Sequence, residues 1–437
     1  MKNEELEVNN GLPNGWIETI IDNLGEVVSG GTPSTKDSEN FGGFISWITP
    51  ADLTNYKNKY ISKGKRNITI KGLKSSSTRL MPKGSILFSS RAPIGYTVIA
   101  LNKVCTNQGF KSLIPCKEHI DSEYIYFYLK NSKHLAESFA SGTTFKEISN
   151  SSFKKLPIKL PPLNEQKRIV EKIEKLFSNL DNSDKYLLHL EKQLKRYRQS
   201  VLKSAFEGEL TKEWRNINKF SYDDWKNQTI LEIADKIFAG GDKPDKVSDT
   251  KTEEYPYPIY SNGLQDKGLY GYTNIYKVEE ECITISARGT IGFPLVRNER
   301  FVPIVRLIVV IPKDYIFSKY LKYYLESKIV VQSGSSIPQL TVPMVKQIEI
   351  LVPQLEEQQE IVNQIEKHFS IIDKLENVVQ KSINESKRLR QSILKQAFEG
   401  KLVEQDPNDE SASILLEKIA KAKEEYLKAQ KKQVRKK

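Results

Sequence analysis

Two long segments of the chain place apolar residues at alternating intervals of four and three. The first segment begins at Ile169 and the second at Ile361. A strict four–three spacing over this length is typical of a coiled-coil seam, so the pattern predicts two long helices. Prolines precede each helix, acidic residues occupy its first turn, and Gly208 and Gly400 follow its basic end, as helix capping and the helix dipole favour. The predicted seam residues are Ile169, Ile173, Leu176, Leu180, Leu187, Leu190, Leu194 and Val201, then Ile361, Ile365, Ile372, Leu375, Val379, Leu389 and Ile393.

The two predicted helices are copies of one another. RQSVLKSAFEGEL, which begins at Arg198, returns 192 residues later as RQSILKQAFEGKL, and PPLNEQKRIVEKIEKLFSNLD returns at the same offset as PQLEEQQEIVNQIEKHFSIID. Upstream of each helix the match weakens, although ILFSSRAPIG still resembles ITISARGTIG and SEYIYFYL resembles SKYLKYYL. Each half of the chain therefore has one plan, a globular region followed by a long helix. The helices are closely alike and the globular regions differ.

The globular regions alternate short β-rich runs with turns and one short Tyr-rich helix, which is typical of α+β domains. We therefore expect two globular, mixed α/β domains separated by a pair of long coiled-coil helices, with a pseudo-two-fold internal repeat. The short linker after the first helix leaves no room for a return path, so the helices should run antiparallel, with one globular domain at each end. The predicted parts are an N-terminal tail 1–14, a first domain 15–160, a first helical region 161–210, a linker 211–221, a second domain 222–352, a second helical region 353–402 and a basic tail 403–437. The tail suggests a helix that either docks on a partner subunit or is a solvated terminus.

Charge is unevenly distributed along the chain. The net charge of the chain is +12, and the first domain carries +9 of it, whereas the region from Tyr222 to Pro353 carries −1. The stretch from Leu53 to Lys117 holds 13 Lys and Arg residues and no Asp or Glu. A surface that faces DNA phosphates would have this composition, because an acid there would oppose the release of counterions. A merely solvated basic surface is the alternative.

The candidate DNA-binding residues combine these basic positions with hydroxyl-rich loops just upstream of each helix. The loops SGTTFKEIS and SGSSIPQLT could hold phosphates or base edges, or could instead be turns that dock a domain on its helix. Arg91 and Arg288 match across the repeat and could either touch DNA or brace the fold. The candidates are Lys57, Lys59, Lys63, Arg66, Lys71, Lys74, Arg79, Arg91, Thr143, Thr144 and Lys146 in the first domain, and Lys243, Lys267, Arg288, Arg297, Ser335 and Ser336 in the second.

Motifs for catalysis are absent from the sequence, and we predict no catalytic residue and no metal ligand. There is no phosphate-binding G-x-x-x-x-G-K-[ST] loop and no Asn/Asp-Pro-Pro-aromatic tetrapeptide of an amino-methyltransferase. The pairs Gly30-Gly31 and Gly240-Gly241 are better interpreted as turns than as nucleotide cradles. Three cysteines without C-x-x-C spacing indicate reduced thiols and a cytoplasmic protein. The opening MKNEELEVNN is unlike a signal peptide, and no apolar run is long enough to span a membrane.

Taken together, these motifs resemble the specificity subunit of type I restriction–modification systems. The resemblance extends from about Leu12 to Leu402 and rests on SGGTPST, SWITPADL, ILFSSRAPIGY and TNQGFKSLIP, with the duplicated PPLNEQ/PQLEEQ and AFEGEL/AFEGKL. It implies a non-catalytic subunit with two target-recognition domains. Each domain would read one half of a bipartite site on double-stranded DNA, and the helices would set the spacer. It also implies two methyltransferase (modification) subunits that bring S-adenosylmethionine, and motor-nuclease (restriction) subunits that use ATP and Mg²⁺, with no cofactor bound by this chain and no membrane partner.

Two other classes of function remain open at this point. An adaptor that bridges two protein partners would also explain a duplicated helical frame, but its binding would not respond to salt as phosphate contacts must. A self-contained enzyme would need motifs that the sequence lacks.

Overall fold

The computed structural model describes residues 11–142, 146–263, 265–287, 291–332 and 339–434. The chain divides into two compact units. The first unit comprises residues 1–185 and 383–437, and the second comprises residues 186–382. Each unit therefore contains one globular domain, the beginning of the helix that follows that domain, and the end of the other long helix. The long helices are α5 (Leu163–Phe206) and α10 (Leu355–Phe398).

The first globular domain consists of two sheets and a two-stranded ribbon. A five-stranded sheet has the order β2-β9-β6-β7-β4, a three-stranded sheet has the order β5-β3-β8, and β1 pairs antiparallel with β10. The strands are β1 (Ile17–Ile20), β2 (Gly25–Ser29), β3 (Phe41–Ile48), β4 (Tyr60–Ile61), β5 (Arg66–Ile68), β6 (Ile86–Ser89), β7 (Thr97–Ala100), β8 (Cys105–Thr106), β9 (Phe110–Pro115) and β10 (Pro157–Leu160). The helices are α1 (Ile70–Lys74), α2 (Ser122–Asn131), α3 (Lys133–Ser138) and α4 (Asn150–Lys154).

Both faces of the five-stranded sheet are covered, which explains the apolar run Ile86-Leu87-Phe88 in β6. Ile86 and Phe88 of β6 point into a core shared with α2 and the beginning of α5, whereas Leu87 lies in a second cluster on the opposite face. A strand covered on both sides is apolar throughout rather than alternating.

The second globular domain repeats the outer frame with a different interior. The antiparallel ribbon β11-β19 is equivalent to β1-β10, but the sheets have the orders β12-β18-β15-β16 and β14-β13-β17. The strands are β11 (Lys226–Thr229), β12 (Ala234–Ala239), β13 (Tyr257–Tyr260), β14 (Leu269–Thr273), β15 (Cys282–Ile285), β16 (Pro294–Arg297), β17 (Val302–Pro303), β18 (Ile308–Pro312) and β19 (Glu349–Val352). The helices are α7 (Ile230–Ile233), α8 (Ser318–Gln332) and α9 (Val342–Lys346).

The fold class expected from the sequence is confirmed. Both globular domains are mixed α/β, and two helices of 44 residues each follow them. Within the first unit the end of α10 packs beside the beginning of α5, and within the second unit the end of α5 packs beside the beginning of α10. The two helices therefore run antiparallel in both units.

Two segments outside the repeat form helices, and the sequence predicted only the one in the C-terminal tail. The predicted linker 211–221 contains the short helix α6 (Lys212–Asn218). The C-terminal tail forms α11 (Ala412–Val434), and Ala412, Leu415 and Ile419 are buried in the core of the first unit. The beginning of this helix is therefore not a solvated terminus, because its apolar side is covered by the chain's own domain.

Candidate nucleic-acid interface

A buried Glu-Gln pair in the first turn of each long helix fixes the preceding domain. Glu165 accepts a hydrogen bond from the indole of Trp16 at 3.0 Å, and in the second unit Glu357 accepts one from Trp225 at 2.9 Å. Both carboxylates are about 1% exposed. Burial raises the pKa of Glu165 above its ordinary value, although the Trp16 hydrogen bond opposes this. The repeated motif PPLNEQ/PQLEEQ therefore provides a contact between each long helix and the domain that precedes it.

The neighbouring glutamine makes the same connection in both units. The Nε2 of Gln166 donates to the carbonyl of Pro161 at 3.0 Å, and its Oε1 accepts from the backbone N–H of Asp121 just before α2. Gln358 donates to the carbonyl of Pro353 at 3.0 Å and accepts from the N–H of Phe317 just before α8. Each glutamine thus ties the start of its long helix to the Tyr-rich helix of its domain.

The end of each long helix carries a phenylalanine that packs against the Tyr-rich helix of its unit. Phe398 at the end of α10 lies 5.6 Å from the ring of Tyr124 and 5.0 Å from that of Tyr128, measured between centroids. Phe206 at the end of α5 packs in the same way on two tyrosines of α8, Tyr320 at 5.5 Å and Tyr324 at 4.9 Å. Each AFEG phrase therefore contacts the domain of the other repeat.

The glycine of each phrase ends its helix, as the sequence predicts. Gly208 and Gly400 have φ values of +78° and +68°, a region that favours glycine. The surroundings are close as well, since a Cβ on Gly208 would lie 2.6 Å from the Tyr222 ring and one on Gly400 would lie 2.2 Å from Pro13.

The arginine that opens each phrase joins the two helices. Arg390 of α10 donates to Asp181 at 2.8 Å and to Asp184 at 2.9 Å, both on α5. In the second unit Arg198 donates to Asp373 at 2.5 Å and to Glu376 at 3.3 Å, both on α10. These pairs are equivalent under the 192-residue offset, and both fix the antiparallel register.

The apolar seam is only partly covered in the structure. Ile169, Ile173, Leu194, Val201, Ile361, Ile365, Ile372 and Val379 are buried, whereas Leu176, Leu180, Leu187, Leu190 and Ile393 are half-buried. Leu375 and Leu389 depart from the predicted seam, with exposures of 43% and 51%. Each long helix has one partner helix, which covers only one of its sides. Seam residues at the margin of that covered side therefore remain partly exposed to solvent.

Part of the acid-free basic stretch is neutralised by carboxylates from elsewhere in the fold. Lys59 pairs with Glu123 and Glu174, and although burial alone would lower the pKa of Lys59, these two carboxylates outweigh it and raise that pKa. Four further cations of the stretch have acidic partners from outside it: Lys71 with Asp37 and Glu39, Arg79 with Glu26, and Arg91 and Lys111 with Glu147. Of these cations, Lys59, Lys71, Arg79 and Arg91 are among the predicted DNA-binding residues, and their ion pairs connect them to other segments of the domain.

Other predicted residues of the first domain lie on its surface. Lys57, Lys63, Lys74 and Lys146 are exposed, and Arg66 is exposed with its guanidinium 4.1 Å from the centre of the Phe41 ring. Ammonium and guanidinium groups at such positions can reach DNA phosphates without breaking an ion pair.

In the second domain the three described candidates differ. Lys243 and Lys267 are exposed, but Arg297 is 7% exposed and lies 3.6 Å from the centre of the Tyr260 ring. Burial lowers the pKa of Arg297, and its Nη2 donates to the carbonyl of Lys267. Arg297 therefore holds the loop that presents Lys267. Five predicted residues lie outside the described part of the chain: Thr143, Thr144, Arg288, Ser335 and Ser336.

Three of the four glycines in the two pairs pack closely against other segments, whereas a Cβ on Gly241 would meet only the Nζ of Lys277, at 3.8 Å. A Cβ on Gly30 would lie 1.8 Å from the carbonyl oxygen of Asn107, and one on Gly31 would lie 2.4 Å from the backbone nitrogen of Thr78. Gly240 is similarly close to Pro303. The described residues contain no group of three or more His, Cys, Asp or Glu side chains that could hold a metal ion. Among the helices that the structure describes, none is long and apolar enough to cross a membrane.

A family model described as the type I restriction modification DNA specificity domain matches residues 13–192 and again residues 222–385. The chain belongs to this family and carries its domain twice. The two matches follow the two repeats that the sequence and the structure define.

Curated relatives agree with this assignment. The type I restriction enzyme MjaIX specificity subunit of Methanocaldococcus jannaschii is 45% identical over 184 residues, which is 41% of this chain and 42% of that protein. The EcoBI specificity subunit of Escherichia coli is 27% identical over 77% of this chain and 82% of its own length. The chain thus aligns with less than half of the MjaIX subunit.

The solved structures support the fold. A chain from a study of complex assembly and conformational transition of the type I R-M system has a TM-score of 0.73 and 21% identity, covering 89% of this chain and 99% of that one. The HsdS subunit of Thermoanaerobacter tengcongensis has a TM-score of 0.60 and 19% identity, covering 89% and 98%.

Proposed function

We propose that this chain is the DNA-sequence-recognition subunit of a type I restriction–modification complex. One observation carries the proposal: two copies of a DNA specificity domain are held by the same helical contacts but differ in their interior sheets. Two domains that recognise different DNA sequences would need the same helical contacts but different interiors. Each domain would read one half of a bipartite site, and α5 and α10 would set the spacer between the halves.

The chemistry of modification and cleavage would reside on partner subunits. Two methyltransferase subunits would bring S-adenosylmethionine, and motor-nuclease subunits would bring ATP and Mg²⁺. The close packing of Gly30, Gly31 and Gly240 supports placing nucleotide binding elsewhere, because other segments of this chain already contact them. The cytoplasmic location remains a prediction from the cysteine content.

DNA binding by the purified full chain tests the proposal. We expect it to bind duplex DNA with an affinity that falls steeply with salt, by roughly a thousandfold between 50 and 200 mM if about six phosphates are contacted. It should neither methylate nor cut the duplex until the partner subunits are added. Binding that does not depend on salt would favour the adaptor alternative, and activity of the chain alone would contradict the proposal.

A further inference from the structure

A cleft of about 310 Å³ in the first domain is lined by cationic and aromatic side chains. It lies between the loop before β4, the strand β7 and the helix α2. Its polar lining residues are Tyr56, Lys57, Asn58, Tyr96, Thr97, Tyr126 and Lys130.

The charge of this cleft distinguishes it from two other cavities of the same unit. Two lysines line it, and no Asp or Glu is among its described lining residues. By contrast, Glu417 lines the cavity beside Asn23, and Glu26 and Glu118 line the cavity beneath α11. A small cleft with two ammonium groups and no carboxylate favours an anionic occupant.

The hydrogen bonds inside the cleft leave donors available for such an occupant. The Nζ of Lys130 donates to the hydroxyl of Tyr126 at 3.0 Å and lies 5.3 Å from the centre of that ring. Its partner is neutral, so the ammonium keeps its charge and its two other protons. Because the Tyr126 hydroxyl accepts this bond, its own proton is free to donate to an oxygen atom.

The acidic residue nearest along α2 does not compete for this site. Glu123 lies two turns before Lys130, but it pairs with Lys59 and accepts a hydrogen bond from the Tyr60 hydroxyl. The carboxylate of Glu123 is thus engaged by Lys59, which also pairs with Glu174, and by Tyr60.

We propose that this cleft binds one phosphate group, with Lys57 and Lys130 neutralising its charge and Tyr126 donating to one of its oxygens. The proposal rests on the proposed function in taking a phosphodiester of duplex DNA as the source of that phosphate. Such a contact positions the domain on the duplex and carries no sequence information. The sequence alone did not indicate Tyr126 or Lys130, because both lie in the Tyr-rich helix, outside the acid-free stretch.

The test compares the full wild-type chain with the double variant Lys57→Gln/Lys130→Gln. Lys36→Gln/Lys155→Gln is the matched control, since it removes the same number of charges from two exposed lysines of the same domain that lie outside the acid-free stretch and do not line the cleft. Binding to a fluorescent duplex is measured across a series of salt concentrations. We expect the slope of log affinity against log salt to fall by about 0.9 in the double variant and to stay unchanged in the control. Tyr126→Phe should weaken binding without changing the slope.

A second measurement separates the two sources of phosphate. Thermal unfolding is followed with and without inorganic phosphate. An unchanged DNA slope, with phosphate stabilising the wild type but not the double variant, would assign the cleft to a free anion instead of DNA. If the slope is unchanged and phosphate does not stabilise the wild type, the proposal that this cleft binds a phosphate group is wrong. If the wild type fails to bind DNA at all, the proposed function fails, and the phosphate measurement still decides whether the cleft holds an anion.

Discussion

Phe206 and Phe398 occupy equivalent places in the two units and join the end of one long helix to the tyrosines of a domain. Around them, the glycine and the arginine of the repeated phrase also make contacts within the frame. None of these side chains is among the candidate DNA-binding residues. The repeated residues therefore hold the long helices against the domains. The positions that differ between the domains remain available for DNA recognition.

Replacement of Phe398 tests this role. Phe398→Ala should lower the free energy of unfolding of the first unit by about 3–5 kcal/mol, because the 6% exposed ring leaves a cavity against Tyr124 and Tyr128. Denaturant unfolding of the full chain measures the change. Leu389→Ala on the same helix is the control, since that side chain is 51% exposed and its loss should cost less than about 0.5 kcal/mol. If the two substitutions lower the free energy of unfolding equally, Phe398 does not hold the end of α10 on the first domain.

Single residues also show where the sequence could not predict the site. The acid-free stretch is a pattern of neighbours along the chain, whereas charges are paired in three dimensions. Glu123 and Glu174 lie 64 and 115 residues from Lys59, so no local pattern could pair them. The charge of Arg297 likewise predicts a DNA contact, but in the structure its guanidinium lies over the ring of Tyr260. Some predicted cations are paired with distant carboxylates or covered by an aromatic ring. The exposed ones are those that can reach DNA phosphates.

At the scale of secondary-structure elements, periodicity predicted the long helices well and the short ones poorly. The four–three pattern gave both 44-residue helices, and the terminating glycines lie where expected. The helix α6 was missed because its seven residues carry no repeat. Its position depends on the buried pair of Arg215 with Glu357, at 2.6 Å, 142 residues apart along the chain. Long-range contacts of this kind leave no local signal.

Shortening the long helices tests their proposed role in setting the spacer. Residues 183–189 and 375–381 occupy equivalent positions of the repeat, and removing both heptads preserves the phase of the seam. Seven residues rise about 10 Å, so the unread spacer should shorten by roughly three base pairs. Mapping the methylated bases in cells that carry the variant and its partners measures the spacer.

The control for this deletion replaces the same two heptads by others of equal length and pattern. Its spacer should equal that of the wild type. If the shortened protein still modifies sites with the original spacer, the helices do not set it.

At the scale of the whole molecule, the internal repeat predicted the organisation of the chain, and the family match follows the same two copies. The repeat could not predict the role of the C-terminal tail, which has no counterpart in it. Helix α11 contacts the 3-10 helix Ile21–Leu24, and Asp409 before it accepts a hydrogen bond from Arg168 at 2.7 Å. The first domain is therefore completed by a segment from the other end of the chain.

Exchange of the first domain, residues 15–160, for the equivalent domain of a relative tests the central claim most directly. The exchanged segment should keep Ile21 and Leu24, so that α11 retains its covered side. Methylated bases are then mapped in cells that carry the exchanged chain with its partner subunits. We predict that one half of the bipartite site changes while the other half and the spacer stay the same. A change in both halves, or in neither, would contradict the assignment of one reading domain to each half-site.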